Sequence, residues 1–185
     1  MKDFTINSSD SLLLIIDIQD RLFNAMESGV QSVLKKNGTI LINTAREFNI
    51  PLIFTEQYRK GLGETIPELK DLAGDSLNLE KLHFDCMKDD EIKKAVLKAG
   101  KKTVIITGIE SHICVLQTAL SLISSGIKVI VAADGVASRK KEDWKSALSI
   151  LSEAGALVYP TETIAFMIIE KAGTPEFKKL SPLFK

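Results

Sequence analysis

Cys114, Asp17 and Lys81 are the residues whose types and positions point most directly to chemistry. Cys114 lies three residues after Ser111, which fits the N-cap of a helix running to about Ser125 and stopped by Gly126. A cysteine in that first turn sits near unpaired backbone N–H groups and the positive end of the helix dipole. Both favour thiolate, the nucleophilic form. The same N–H groups could hold an oxyanion formed when a thiolate attacks a carbonyl. The bland alternative is a small buried residue packing helix onto sheet.

Asp17 closes the apolar run Leu12–Ile16, where a carboxylate is costly without partners or solvent. It is either a general base beside the thiol or a turn acceptor for Ile18, Gln19 and Asp20. Lys81, in the segment Glu80-Lys-Leu-His-Phe-Asp85, could hold a thiolate and a carboxylate together by charge. In a chain with 24 Lys and Arg, a solvated lysine is the default reading.

The elements that would position these residues alternate between short apolar runs and helical patterns. Leu12–Asp17, apolar until its carboxylate, reads as a strand buried on both faces. Leu34, Leu41, Ala45 and Phe48 then form one face of a helix over residues 32–48. A second strand follows at 51–55, and a weak third near Leu79–Leu82. The next helix carries Ile92, Val96 and Ala99, with Gly100 at its C-terminal cap. Strands at 103–107, 127–133 and 156–159 are each followed by a helix, marked by Trp144, Leu148 and Leu151 and by Ile164 and Ile168. The tail, with Phe177, Leu180 and Phe184, suggests a short amphipathic helix. Between strands two and three, Glu56 to Gly74 has three Gly, one Pro and no period, so it reads as a long loop.

This alternation predicts an α/β fold, a three-layer α/β/α arrangement around a mostly parallel, Rossmann-like sheet of about six strands in the order 3-2-1-4-5-6. In that order strands 1 and 4 are neighbours, and the crevice opens between their carboxyl ends. Asp17 and the stretch Gly108 to Cys114 then form the floor of the site. At 185 residues the chain reads as one domain over residues 1–185.

Composition narrows the partners. With 24 basic against 24 acidic residues, no basic stripe argues for nucleic acid. The longest apolar run, Ile164–Ile169, is six residues, whereas a bilayer span takes about 20. No cationic region leads into a hydrophobic leader, and two cysteines do not make a disulfide framework, so the expected location is cytoplasmic. The mean hydropathy of +0.10 and the apolar tail suggest a homo-oligomer.

Leu-Leu-Ile-Ile-Asp17-Ile-Gln19, Lys81 followed by Phe84, and Gly108-Ile-Glu-Ser-His-Ile-Cys114-Val115-Leu-Gln-Thr118-Ala119 together resemble the isochorismatase-like cysteine hydrolase superfamily. Thr55-Glu-Gln-Tyr58 followed by Gly61-Leu-Gly63 looks like its small isochorismatase-domain-containing branch. Carried over by position, the resemblance implies Cys114 as nucleophile, Asp17 as general base, and Lys81 as the group that steadies the thiolate and orients Asp17. It implies a cis peptide at Ile109–Glu110 and an oxyanion hole from the backbone N–H groups of Glu110 and Cys114. The expected reaction is cofactor-free hydrolysis of a small molecule at an amide or ureide C–N bond, through a covalent acyl-enzyme. Phe23, Gln57, Tyr58, Phe84 and His112 are the expected walls of the substrate pocket.

Departures from the family pattern shape these expectations. The family usually has a small residue at the position of Glu110, whose side chain, if turned inward, would disfavour the thiolate. Nicotinamidases carry an Asp-x-His metal pair where this chain has Glu56-Gln57-Tyr58, so no metal is expected there. His83, Cys86, His112 and Cys114 lack the spacing of a zinc finger. Gly61-Leu-Gly63 is not a nucleotide-binding glycine motif. A catalytically silent binding or scaffold protein of the same fold is the second reading.

Overall fold

The computed structural model describes residues 3–185. Six parallel strands form one sheet: β1 (Ser11–Ile16), β2 (Leu52–Gln57), β3 (Leu77–Lys81), β4 (Thr103–Ile109), β5 (Lys128–Ala137) and β6 (Leu157–Tyr159). Their order is β3-β2-β1-β4-β5-β6, as the alternating pattern predicts. The longer helices are α2 (Ser28–Glu47), α5 (Asp90–Lys98), α6 (Leu116–Ser124), α7 (Lys141–Glu153) and α8 (Thr161–Ile169). Shorter ones are α1 (Asp20–Asn24), α3 (Arg59–Leu62), α4 (Pro67–Lys70) and α9 (Pro175–Leu180).

The side chains of β1 show why the sheet needs two covers. Every residue of β1 is buried. Leu13 and Ile15 pack with Leu34, Leu41 and Ala45 of α2 and with Ile164 and Ile168 of α8. Leu12, Leu14 and Ile16 face the other way, onto Ile92 and Val96 of α5, Ala119 and Leu122 of α6, and Leu151 of α7. A strand that alternates between two apolar layers has no polar face to expose.

The register fixes the crevice. Ile16 pairs with Thr55 on one side and Gly108 on the other, and Gln57 pairs with Lys81. The carboxyl ends of β1, β2, β3 and β4 therefore share one rim. On the far side the β4–β5 register shifts between Ile106 and Gly108, then resumes with Gly108 opposite Val136 and Ile109 opposite Ala137. This irregularity carries Ser138 and Arg139 toward the turn that follows β4.

The long loop expected over 56–74 is shorter and more ordered than its composition suggests. Strand β2 continues through Gln57, and α3 and α4 occupy much of the remainder. The organiser is a buried carboxylate. Glu56 accepts from the Thr65 N–H at 2.7 Å, the Thr65 hydroxyl at 2.8 Å and the Asn78 amide at 3.0 Å, and it forms a short ion pair with Arg59. Burial alone would raise its pKa, but these bonds outweigh it and hold Glu56 below the usual carboxylate range. Glu56→Gln is expected to cost roughly 1–3 kcal/mol, read as a lower urea midpoint at unchanged slope. Because the folded pKa is depressed, this contribution is present above the unfolded-state value and lost as pH falls through the folded one. The gap between wild type and variant should therefore shrink on acidification.

Candidate functional site

Asp17 leaves β1 with φ 53°, a left-handed conformation that aspartate tolerates better than most residues. The Asp17 N–H donates to the Thr55 carbonyl at 3.0 Å, and its own carbonyl accepts from Gln19 N–H at 2.8 Å. That turn drops its carboxylate into the crevice, where no side-chain surface remains exposed. Oδ1 accepts from the Thr55 hydroxyl at 2.8 Å, and Oδ2 lies 2.7 Å from Lys81 Nζ.

Lys81, the last residue of β3, is 1% exposed despite its charge. Besides Asp17, its ammonium donates to Gln57 Oε1 at 2.5 Å and to the carbonyls of His83 and Phe84 at 3.2 and 3.3 Å. It also reaches Cys114 Sγ at 3.5 Å. Burial alone would lower the pKa of Lys81, but the Asp17 charge beside it reverses this and keeps it an ammonium.

Cys114 enters from the other side of the crevice. The peptide Ile109–Glu110 is cis, and Ser111–Val115 forms one wide π-type turn before α6 begins at Leu116. The expected helix start is thus displaced. Glu110, not Ser111, holds the cap position, with no side-chain cap, because the wide turn is inserted ahead of the α-helical bonding. Gly108 makes this passage possible. Its φ is 147°, and a Cβ there would fall inside the Ile16 carbonyl oxygen and 2.7 Å from Ile16 Cβ.

The electrostatics correct one expectation from the sequence. Burial is the largest influence on Cys114 and pushes its thiol up; the Asp17 carboxylate adds to this, and Lys81 offsets only part. The surroundings of the sulfur therefore work against the thiolate that a helix start favours. Burial likewise lifts Asp17 above the usual carboxylate range, even with Lys81 beside it. A thiol facing a carboxylate of raised proton affinity is a pair set to exchange one proton. Cys86, also buried, is pushed up to about 12 by burial and by the Asp17 charge, and so stays neutral.

The Isochorismatase domain family model matches residues 11–163. The chain belongs to the isochorismatase family. Isochorismatase family protein 1A of Dictyostelium discoideum is 33% identical over 96% of this chain and 87% of its own. Isochorismatase domain-containing protein 1 of Danio rerio is 32% identical over 97% of this chain and 62% of its own. Among solved structures, the Caenorhabditis elegans protein described as MAR1 ribonuclease is 33% identical, with a TM-score of 0.88 over 97% of this chain and 91% of that one. The Escherichia coli YcaC gene product, described as an octameric hydrolase of unknown specificity, is 27% identical, with a TM-score of 0.91 over 98% and 90%.

In this family member Glu110 turns away from the thiol. Its carboxylate accepts from the Arg139 backbone N–H at 3.0 Å and Nε at 3.1 Å, with Nη2 at 3.0 Å, which neutralises the charge. His112 is half-buried and directed to the Ser138 hydroxyl at 3.0 Å. Phe23 is half-buried against the core under α2. Tyr58 and Phe84 are exposed at the rim, where the Tyr58 N–H and the Phe84 carbonyl bond Lys81 through backbone atoms. Gln57, expected in the pocket wall, is tied to protein at both ends of its side chain. Its carbonyl end is on Lys81 and its amide donates to the Leu82 carbonyl at 2.8 Å.

Sequence reasoning missed Thr55 and Gln19, both buried polar residues at strand ends, and Arg139, the partner of Glu110. A cavity of about 390 Å³ between α2 and the start of α7 is lined by Val30, Val33, Leu34, Val136, Arg139 and Trp144. It shares none of its wall with Asp17, Lys81 or Cys114. Among the described residues, no group of three His, Cys, Asp or Glu is placed to hold a metal, and no helix is long and apolar enough to cross a membrane.

Proposed function

We propose that this chain is a cysteine hydrolase of a small molecule, cleaving an amide or ureide C–N bond through an acyl-enzyme on Cys114. The observation that carries the reading is the buried Lys81 ammonium, 2.7 Å from Asp17 and 3.5 Å from the Cys114 sulfur. A buried cation between a carboxylate and a thiol has no packing value that an apolar residue would not match.

In this reading Asp17 takes the Cys114 proton as Sγ attacks the carbonyl carbon. The backbone N–H groups of Glu110 and Cys114 hold the resulting oxyanion. Asp17 returns the proton to the leaving nitrogen as the C–N bond breaks. A water then gives its proton to Asp17 and attacks the thioester, releasing the acid and restoring the Cys114 thiol. Lys81 keeps its proton throughout and balances whichever partner is anionic. Exposed Tyr58, Leu82 and Phe84 around the rim, together with the octameric state described for the E. coli relative, support self-association.

An ammonia-release screen over primary amides and ureides tests the reading, with RNA included because of the name given to the C. elegans relative. Release from at least one amide or ureide, lost in Cys114→Ala, is the expected result. Because burial raises Asp17, the base form is lost as pH falls, and the acid limb of the rate profile should lie above the ordinary carboxylate value of about 4. Ligand binding retained in both Cys114→Ala and Asp17→Asn, with no hydrolysis by wild type, would instead indicate a silent binding protein. Cleavage of RNA alone would also overturn the assignment.

A further inference from the structure

We infer that Gln57 is a positioning residue, an uncharged acceptor that aims the Lys81 ammonium at Asp17 and Cys114 and is itself locked by Gln19. The inference rests on the role proposed above for Lys81.

The orientation of the Gln57 amide is determined by its neighbours. The Leu82 carbonyl can only accept, so the end facing it at 2.8 Å is Nε2. The other end, Oε1, then faces Lys81 Nζ at 2.5 Å. The amide cannot flip without opposing donor to donor and acceptor to acceptor. Lys81 therefore receives a neutral acceptor whose direction does not change.

Gln57 is fixed in turn through its backbone. Gln19 Oε1 accepts from the Gln57 N–H at 2.7 Å, and Gln19 Nε2 donates to the Gln57 carbonyl at 3.0 Å and the Gly63 carbonyl at 2.6 Å. Gln19 lies two residues beyond Asp17 and is fully buried. This clasp joins the turn carrying Asp17 to the strand that supports Lys81, beyond the point where Asp17 has left the β1 ladder.

The neutrality of the amide matters as much as its direction. The charged or titratable groups around the Lys81 ammonium are Asp17 after β1, Cys86 in the turn before α5 and Cys114 in the wide turn. With Gln57 the ammonium balances one carboxylate, and its remaining field falls on the sulfur. A second carboxylate at position 57 would spend that field. An apolar side chain would leave a buried N–H without its acceptor and free the ammonium to swing.

The test is the rate of iodoacetamide alkylation of Cys114 at pH 8, mapped by peptide mass spectrometry, in proteins shown folded by thermal unfolding. Gln57→Glu, close in shape, should slow alkylation about tenfold, the effect of one unit in the thiol pKa. Gln57→Leu should slow it as well, and Lys81→Met should slow it at least as much. Gln19→Leu, which removes the backbone clasp but leaves the Gln57 amide held by the Leu82 carbonyl, should lower thermal stability and slow alkylation, by less than either Gln57 variant. Wild-type rates in both Gln57 variants alongside a slowed Lys81→Met would overturn the inference and leave the reading of Lys81 intact. A wild-type rate in Lys81→Met would instead remove the role of Lys81, and the inference with it.

Discussion

Cys114→Ala is expected to lower kcat/KM by at least about 10⁴-fold on any amide or ureide that the wild type hydrolyses. Among the described residues, neither the second cysteine nor the nearby serine is free to replace the sulfur. Cys86 is buried beside Thr55 and held neutral, and the Ser111 hydroxyl is buried. Asp17→Asn should cost nearly as much for a different reason. Asparagine can still accept from the Thr55 hydroxyl, but its amide would then point at the Lys81 ammonium, donor against donor, and it cannot take a proton from the thiol. Because the two residues act on one proton, the double variant should be little worse than the worse single one. Steady-state kinetics of the three variants on one substrate measure both effects. Losses that multiply in the double variant would indicate that the residues act independently.

Gly108→Ala should be the most damaging single methyl in the molecule, costing roughly 3 kcal/mol or more. Its φ of 147° is one that alanine avoids, and the added carbon would collide with the backbone of Ile16 rather than with a side chain that could move away. Gly108 pairs with Ile16, the residue before Asp17, and opens the segment leading to Cys114. Relief of the clash would therefore separate Asp17 from Cys114, so the folded fraction should also lose activity. Gly126→Ala is the control. It too has positive φ, at 77°, but a Cβ there meets nothing within 4 Å. Its cost should stay near about 1 kcal/mol, with activity kept. Urea unfolding of both variants checks the contrast, and similar losses in the two would mean that the Ile16 contact is not what Gly108 serves.

The sheet could be read from the sequence because most of its strands carry an apolar run, as in β1, β4 and β5, and period and order are properties of local runs. Asp17 and Cys114 could be placed together because the strand order brings their strand ends to one rim, whereas Lys81 joined them only through the family resemblance, its position alone reading as a solvated lysine. What was hidden depends on polar pairs distant in the chain. The ordering of residues 56–74 comes from one buried carboxylate, Glu56, which no hydropathy pattern distinguishes from a solvated one. The engagement of Gln57 with Lys81 spans 24 residues, and that of Glu110 with Arg139 spans 29. The surroundings of the Cys114 thiol were hidden for the same reason. A helix start argues for thiolate, but the burial that outweighs it is a property of the whole fold.

The most direct test of the central claim is to trap the acyl-enzyme. Wild type, Asp17→Asn and Cys114→Ala are mixed with p-nitrophenyl acetate, quenched in acid and followed by intact mass and peptide mapping. The account predicts one acetyl group on Cys114. It should form and decay in wild type, form far more slowly in Asp17→Asn, which lacks the base for both the thiol and the water, and be absent from Cys114→Ala. Ester turnover by wild type with no acetyl on Cys114 at any quench time, or undiminished turnover by Cys114→Ala, would contradict a covalent cysteine mechanism.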